Sequence, residues 1–252
     1  MAEKSAKSEE RSRRLRERIA LTLPVKVYCR ETLELDWTEI SRLVDVTPFG
    51  ARLRISRPTE KGRLLLLTMA MPRQLRCFDH VEDQYRVWSL VRNVKLLDPG
   101  AAKGALLEIG VAFVGKRPPR SFEIDPGRRY EIAQSSAEAG LWSVREEAGQ
   151  SLSEVSATDK RKDTRHTIPI EVLVEVFGDQ TKPSASEKTV TENISRQGAA
   201  VFTSLDVSPG QFVKVSSEEY GVTALAVVRN RRVGVDGISR LHLEFIGSEW
   251  PL

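Results

Sequence analysis

The stretch NISRQGAAV, residues 193–201, has a counterpart in DVTPFGARL, residues 45–53. Each sets a small polar pair ahead of a glycine and then runs into apolar residues. Asn, Asp, Ser and Thr bond their own backbone in turns, and glycine relieves backbone crowding, so each stretch reads as a turn that opens a strand. The match extends outward. Arg161 and Arg165 precede IPIEV (168–172), and Arg14 and Arg18 precede LPVKV (23–27). LVRN (90–93) matches VVRN (227–230), and VAFVG (111–115) matches LEFIG (243–247). From Arg18 to Gly50 is 32 positions, and from Arg165 to Gly198 is 33. Landmarks in the same order at the same spacing mark an internal duplication.

The unit that repeats is a β domain. LTLPVKVYC, EISRLVDV, GARLRI, RLLLLTM, YRVWSLVRNVKLL and ALLEIGVAFVG are short, alternating or β-branched, and bounded by turn residues. IPIEVLVEVFG, EKTVTENI, GAAVFTS, QFVKVSS, VTALAVVRNRRV and SRLHLEFIG follow in the same order. About six strands in about 100 residues suit a small antiparallel barrel, because closure removes exposed strand edges. Between the halves, Ala133, Ala137, Leu141, Val144 and Ala148 recur at helical spacing, which predicts a helix within 131–148. GQSLSEVSATDK (149–160) reads as a flexible tether. The expected fold is all-β with minor helix: two small antiparallel barrels in tandem, joined by a helical and flexible linker. The boundaries are a disordered tail over 1–10, a first domain over 11–130, helix and linker over 131–157, and a second domain over 158–252.

Composition narrows the function. The formal net charge over 252 residues is +4, and residues 1–20 alone carry seven Lys/Arg against four Asp/Glu. The excess therefore sits in the leading tail. RSRRLRER (11–18) is flanked and interrupted by Glu10 and Glu17, a poor polybasic patch, so nucleic-acid binding is not expected. The longest nearly apolar run, Leu64 to Met71, is far short of the roughly 20 residues that span a bilayer, and the charged N-terminus is no secretory signal. Cys29 and Cys77 stand apart, as a reducing cytoplasm favours. His80, His166 and His242 lack metal-ligand spacing, and no nucleophile elbow or Walker or Rossmann glycine pattern occurs, so neither a metal, a cofactor nor an enzyme is expected. Trp37, Trp88, Trp142 and Trp250 are assigned to packing.

The chemistry lies in the duplicated landmarks. Arginine presents a planar fork to phosphate or to the O6/N7 edge of guanine, and a flat cation that stacks on a base. An Asn amide can donate to and accept from a base edge, and a glycine turn lets backbone approach closely. Arg-x-x-x-Arg, a strand, then Asn/Asp-x-Ser-x-x-Gly about 30 residues on resembles the PilZ family. The resemblance covers roughly residues 11–118 and 158–248. It implies a receptor for the bacterial second messenger cyclic di-GMP, held by Arg161, Arg165, Asn193, Ser195 and Gly198. Arg14, Arg18, Asp45, Thr47 and Gly50 form a second, weaker set, because Thr47 and Pro48 depart from the family pattern. The resemblance also implies a downstream protein partner whose identity the sequence does not carry. The alternative is a PilZ-like pair that has lost its ligand and serves only as a protein-interaction module.

Overall fold

The computed structural model describes residues 18–98, 106–133, 142–147, 164–177, 183–234 and 236–252. The first barrel runs β1 (Ile19–Ala20), β2 (Pro24–Arg30), β3 (Asp36–Thr47), β4 (Gly50–Ile55), β5 (Leu64–Met69), β6 (Tyr85–Asp98) and β7 (Leu106–Gly115). The order β3-β2-β5-β6-β7-β4, with β4 returning to pair with β3, closes it into six strands, and β1 lies against β3 outside the ring. The second barrel is β10 (Glu171–Phe177), β11 (Pro183–Ser195), β12 (Gly198–Phe202), β13 (Phe212–Ser217), β14 (Val222–Val233) and β15 (Ser239–Ile246). It closes in the order β10-β11-β12-β15-β14-β13, the same topology. Even the register shifts correspond: Leu43/Asp45 in β3 with Thr191/Asn193 in β11, and Val91/Asn93 in β6 with Val228/Asn230 in β14. A bulge re-aims the residues beside it, and here it precedes the polar turn in both copies.

Period-two alternation makes the two interiors. Val25, Val27 and Cys29 of β2 face one, and Val172, Val174 and Val176 of β10 face the other. The barrels differ in what closes the end that carries the polar turn. In the first, the Ala70–Gln84 connection folds over it. It is organised by Arg76, which is buried and donates to the carbonyls of Met71, Asp79, Glu82 and Asp83. In the second, Trp250 lies 5.4 Å from Phe245 in a stacked pair, and its backbone N–H donates to the Arg196 carbonyl at 2.9 Å. Cys29 is buried and its thiol pushed up to about 12 by burial, so it stays protonated; neither cysteine is in a disulfide.

At its described ends, the helix predicted within 131–148 is corrected. Tyr130–Ile132 (β8) and Val144–Glu146 (β9) pair as an antiparallel ribbon, and residues 134–141 lie outside those described. The helical pattern rested mainly on alanines, which gain little by burial. Tertiary partners outweigh it: Tyr130 is buried with Leu64, Leu90 and Phe122, and its N–H donates to the Gly62 carbonyl at 2.9 Å. The short helix α1 (Arg120–Ile124) lies instead in the Pro- and Arg-rich stretch and buries Phe122. The 149–160 tether lies outside the described residues.

The barrels pack directly on each other. Along β14, Ala224, Ala226 and Val228 face the second interior, whereas Leu225 and Val227 join the apolar cluster of the first barrel. Phe212 and Ile246 join that cluster too. A strand buried on both faces reads as a continuous apolar run, which accounts for the sequence ALAVV. Gly247 belongs to the same contact. Its φ is +71°, and a Cβ there would come within 2.5 Å of the Val94 carbonyl oxygen.

Buried charge seals the contact. Glu60, 2 % exposed, receives Arg63 at 3.1 Å, Arg129 at 3.6 Å and, from the second barrel, Arg229. Burial alone would raise the Glu60 carboxyl. The Arg229 hydrogen bond and the charges of Arg229, Arg63 and Arg129 outweigh it and hold the group below its ordinary value.

Candidate functional site

Of the two arginines expected ahead of β10, Arg165 is described. Its neighbour His166 exchanges two backbone hydrogen bonds with Ile194, at 2.8 and 2.9 Å, and so pins the lead-in alongside β11. Because side chains alternate along an extended chain, this pin presents Arg165 beside Asn193. Arg165 Nη1 donates to Asn193 Oδ1 at 3.1 Å. Arg165 is exposed and contributes no apolar area to the core.

Ser195 and Gly198 build the turn. Ser195 is buried and its Oγ donates to the Gly198 carbonyl at 3.3 Å, so the hydroxyl shapes the turn. Gly198 faces Glu244 across β12 and β15, and a Cβ on it would overlap the Leu243 carbonyl oxygen. Glycine is required here by the close approach of two backbones. The Phe245 N–H closes the turn onto the Gln197 carbonyl at 2.8 Å. Beside it lies a depression lined by Gln197, Glu244, Phe245, Gly247, Ser248 and Glu249. Arg229 Nε donates to Glu244 Oε2 at 2.6 Å, which offsets a carboxylate next to the turn. Arg161 lies outside the described residues.

The first barrel repeats this construction. Ile19 and Ala20 pair with Val46 and Asp45, which sets Arg18 Nη1 3.8 Å from Asp45 Oδ2. Thr47 Oγ1 donates to the Gly50 carbonyl at 3.3 Å, and a Cβ on Gly50 would overlap the Val111 carbonyl oxygen. Pro48 leaves the turn intact, and its carbonyl accepts from Cys77 Sγ at 2.6 Å. Arg14 lies outside the described residues. What sequence reading missed is the pairing of Asp45: Arg52 Nε donates to its Oδ2 at 2.9 Å, and Arg52 Nη1 donates to Glu108 Oε1 at 3.1 Å. The signal was present as Arg52 against Ala200 in the aligned landmarks.

Residues 159–249 match the family described as PilZ domain. The matched segment takes in all six strands of the second barrel, hereafter the PilZ barrel. No curated protein matches the chain. Solved structures similar to it include a Bacillus subtilis inhibitor of motility, MotI/DgrA, at 16% identity, with 90% of this chain and 88% of that one covered and a TM-score of 0.29. Borreliella burgdorferi PlzA in complex with c-di-GMP is 11% identical, with 100% and 96% covered and a TM-score of 0.29. Escherichia coli YcgR in complex with c-di-GMP is 11% identical, with 89% and 76% covered and a TM-score of 0.28. Likenesses of this degree carry no argument about ligand or site. Among the described residues of the PilZ barrel and its partner, no group of three or more His, Cys, Asp or Glu could hold a metal, and no helix is long and apolar enough to cross a membrane.

Proposed function

We propose that this protein is a receptor for cyclic di-GMP, a binding module and not an enzyme, with its site on the PilZ barrel. Arg165 and Arg161 supply the cations for guanine and phosphate, Asn193 reads a base edge, and Ser195 and Gly198 hold the turn on which the ligand rests. The observation that carries the reading is the Arg165–Asn193 contact at 3.1 Å, made over a turn that only glycine can close, inside the segment that matches the family. The same messenger places the protein in a bacterial cytoplasm, acting through a downstream protein partner. Titration calorimetry of the full chain with cyclic di-GMP tests the proposal: saturable binding that Arg165→Ala weakens at least tenfold supports it. No binding heat at millimolar ligand overturns it and leaves the protein-interaction reading.

A further inference from the structure

Cross-strand register sets the two copies side by side. On the outer face of the PilZ barrel, Asn193, Ala200, His242 and Asn230 form one row across β11, β12, β15 and β14. The equivalent row of the first barrel is Asp45, Arg52, Gly110 and Asn93 across β3, β4, β7 and β6. The position directly opposite the base-reading residue is thus a methyl group in one copy and a guanidinium in the other.

That guanidinium is held firmly. Arg52 Nη2 lies 2.5 Å from Asp45 Oδ2 and its Nη1 3.1 Å from Glu108 Oε1, while Arg18 reaches Asp45 at 3.8 Å and Arg54 reaches Glu108 at 3.8 Å. The result is a ladder of alternating charge, Arg18–Asp45–Arg52–Glu108–Arg54. Asp45 is largely buried under it, with its side chain 10% exposed. Carboxylate-to-guanidinium hydrogen bonds are the strong kind, and a ligand would have to break two of them before Asp45 could accept from a base. In the second barrel, Asn193 carries no charge, and Ala200, fully buried, sets no cation opposite it.

We infer that Arg52 closes the first barrel to cyclic dinucleotides, by tying Asp45 into a charge ladder where Ala200 sets only a methyl group opposite Asn193. The inference rests on the proposed function and makes it more definite: the chain binds through the PilZ barrel alone, and one side chain decides which of two similar turns is a receptor. The departures at Thr47 and Pro48 are secondary, since Thr47 makes the same bond to Gly50 that Ser195 makes to Gly198.

The test is titration calorimetry with cyclic di-GMP on full-length variants, with a thermal melt of each. Wild type is expected to bind at a single site per chain and Arg165→Ala to lose that event. Adding Asp45→Asn and Arg52→Ala to Arg165→Ala removes an ion pair with both its members and recreates the Asn/Ala arrangement. It is expected to restore binding at least tenfold tighter than Arg165→Ala alone. A milder variant, Arg52→Gln with Arg165→Ala, loosens the ladder while keeping a side chain in place, and is expected to bind more tightly than Arg165→Ala alone with a melt close to it. Wild-type affinity in Arg165→Ala with Arg52 in place would overturn the inference, as would a triple variant that melts like wild type yet binds no better than Arg165→Ala. If the triple variant fails to fold, Arg52→Gln with Arg165→Ala decides, and an affinity no better than that of Arg165→Ala refutes closure by the guanidinium. A wild-type chain that binds nothing is a different failure: it removes the proposed function itself.

Discussion

Replacing Glu60 by alanine tests the inter-barrel contact most directly. Glu60 sits in the β4–β5 connection and accepts from Arg63 of its own loop, Arg129 next to the β8–β9 ribbon, and Arg229 of the PilZ barrel. Its side chain is 3% exposed, and those of Arg63 and Arg129 are 9% and 14% exposed. Removing the anion leaves three cations crowded in a dry place. Breaking a buried pair by taking one partner costs about 3–5 kcal/mol, because the remaining charge is uncompensated. For a chain of this size each kcal/mol moves the melting midpoint by roughly 2–4 °C, so Glu60→Ala is expected to lower it by about 6–20 °C. Arg229→Ala leaves Glu60 with Arg63 and Arg129, and Glu244 half in solvent, so its cost is expected to be less than half as large.

The pH dependence has a definite sign. The folded Glu60 carboxyl is held below its ordinary value, so its contribution is complete above the unfolded value of about 4.3 and drains away as pH falls through the folded value. Glu60→Gln should remove that acid-side component and leave the neutral-to-alkaline side flat by comparison. Thermal and urea unfolding of Glu60→Ala, Glu60→Gln and Arg229→Ala at pH 7, and of wild type and Glu60→Gln from pH 3 to 7, check this. An Arg229→Ala variant as destabilised as Glu60→Ala would refute the reasoning, because it would show the cluster depends on the inter-barrel pair and not on the central anion.

Other outcomes follow from the same geometry. Arg165→Ala in the full chain should lose a charge-assisted contact worth about 1.5–3 kcal/mol, a roughly 10- to 150-fold weaker cyclic di-GMP affinity by calorimetry, with the melt within a degree or two of wild type. Gly198→Ala must push β12 off the Leu243 carbonyl and should cost about 1–3 kcal/mol by urea unfolding while abolishing ligand binding. The isolated PilZ segment should self-associate in size-exclusion chromatography, because Phe212, Leu225, Val227 and Ile246 lose their cover; a well-behaved monomer would show that the cover is dispensable. Small-angle scattering of the free chain should fit two touching barrels, and a distribution of separations would contradict the shared cluster.

Much of the molecule is legible in the order of its residues. The duplication, the strand count and the two Arg-and-turn sets are local patterns: alternation places a side chain in or out, and small polar residues with glycine specify a turn wherever they occur. Asn193, Ser195 and Gly198 can be read because a turn is made by neighbours in the chain. At the described ends of the helix expected within 131–148, strands form instead, for the opposite reason. Its alanines prescribe little, and the ribbon there is decided by Gly62, Leu64 and Leu90, which lie far off in sequence. ALAVV announces a strand covered on both faces, but only the packed structure says that the first barrel is the cover. Charge pairing is the least legible of all. Arg52, Arg229 and Glu60 look like ordinary surface residues in a chain whose composition is 29% charged. Their partners lie across strands or across the barrel interface, and a Coulomb interaction depends on distance through space, which sequence separation does not measure. The second copy of the motif was therefore visible from the start, whereas the side chain that pairs with its Asp45 was settled by the register of β3 against β4.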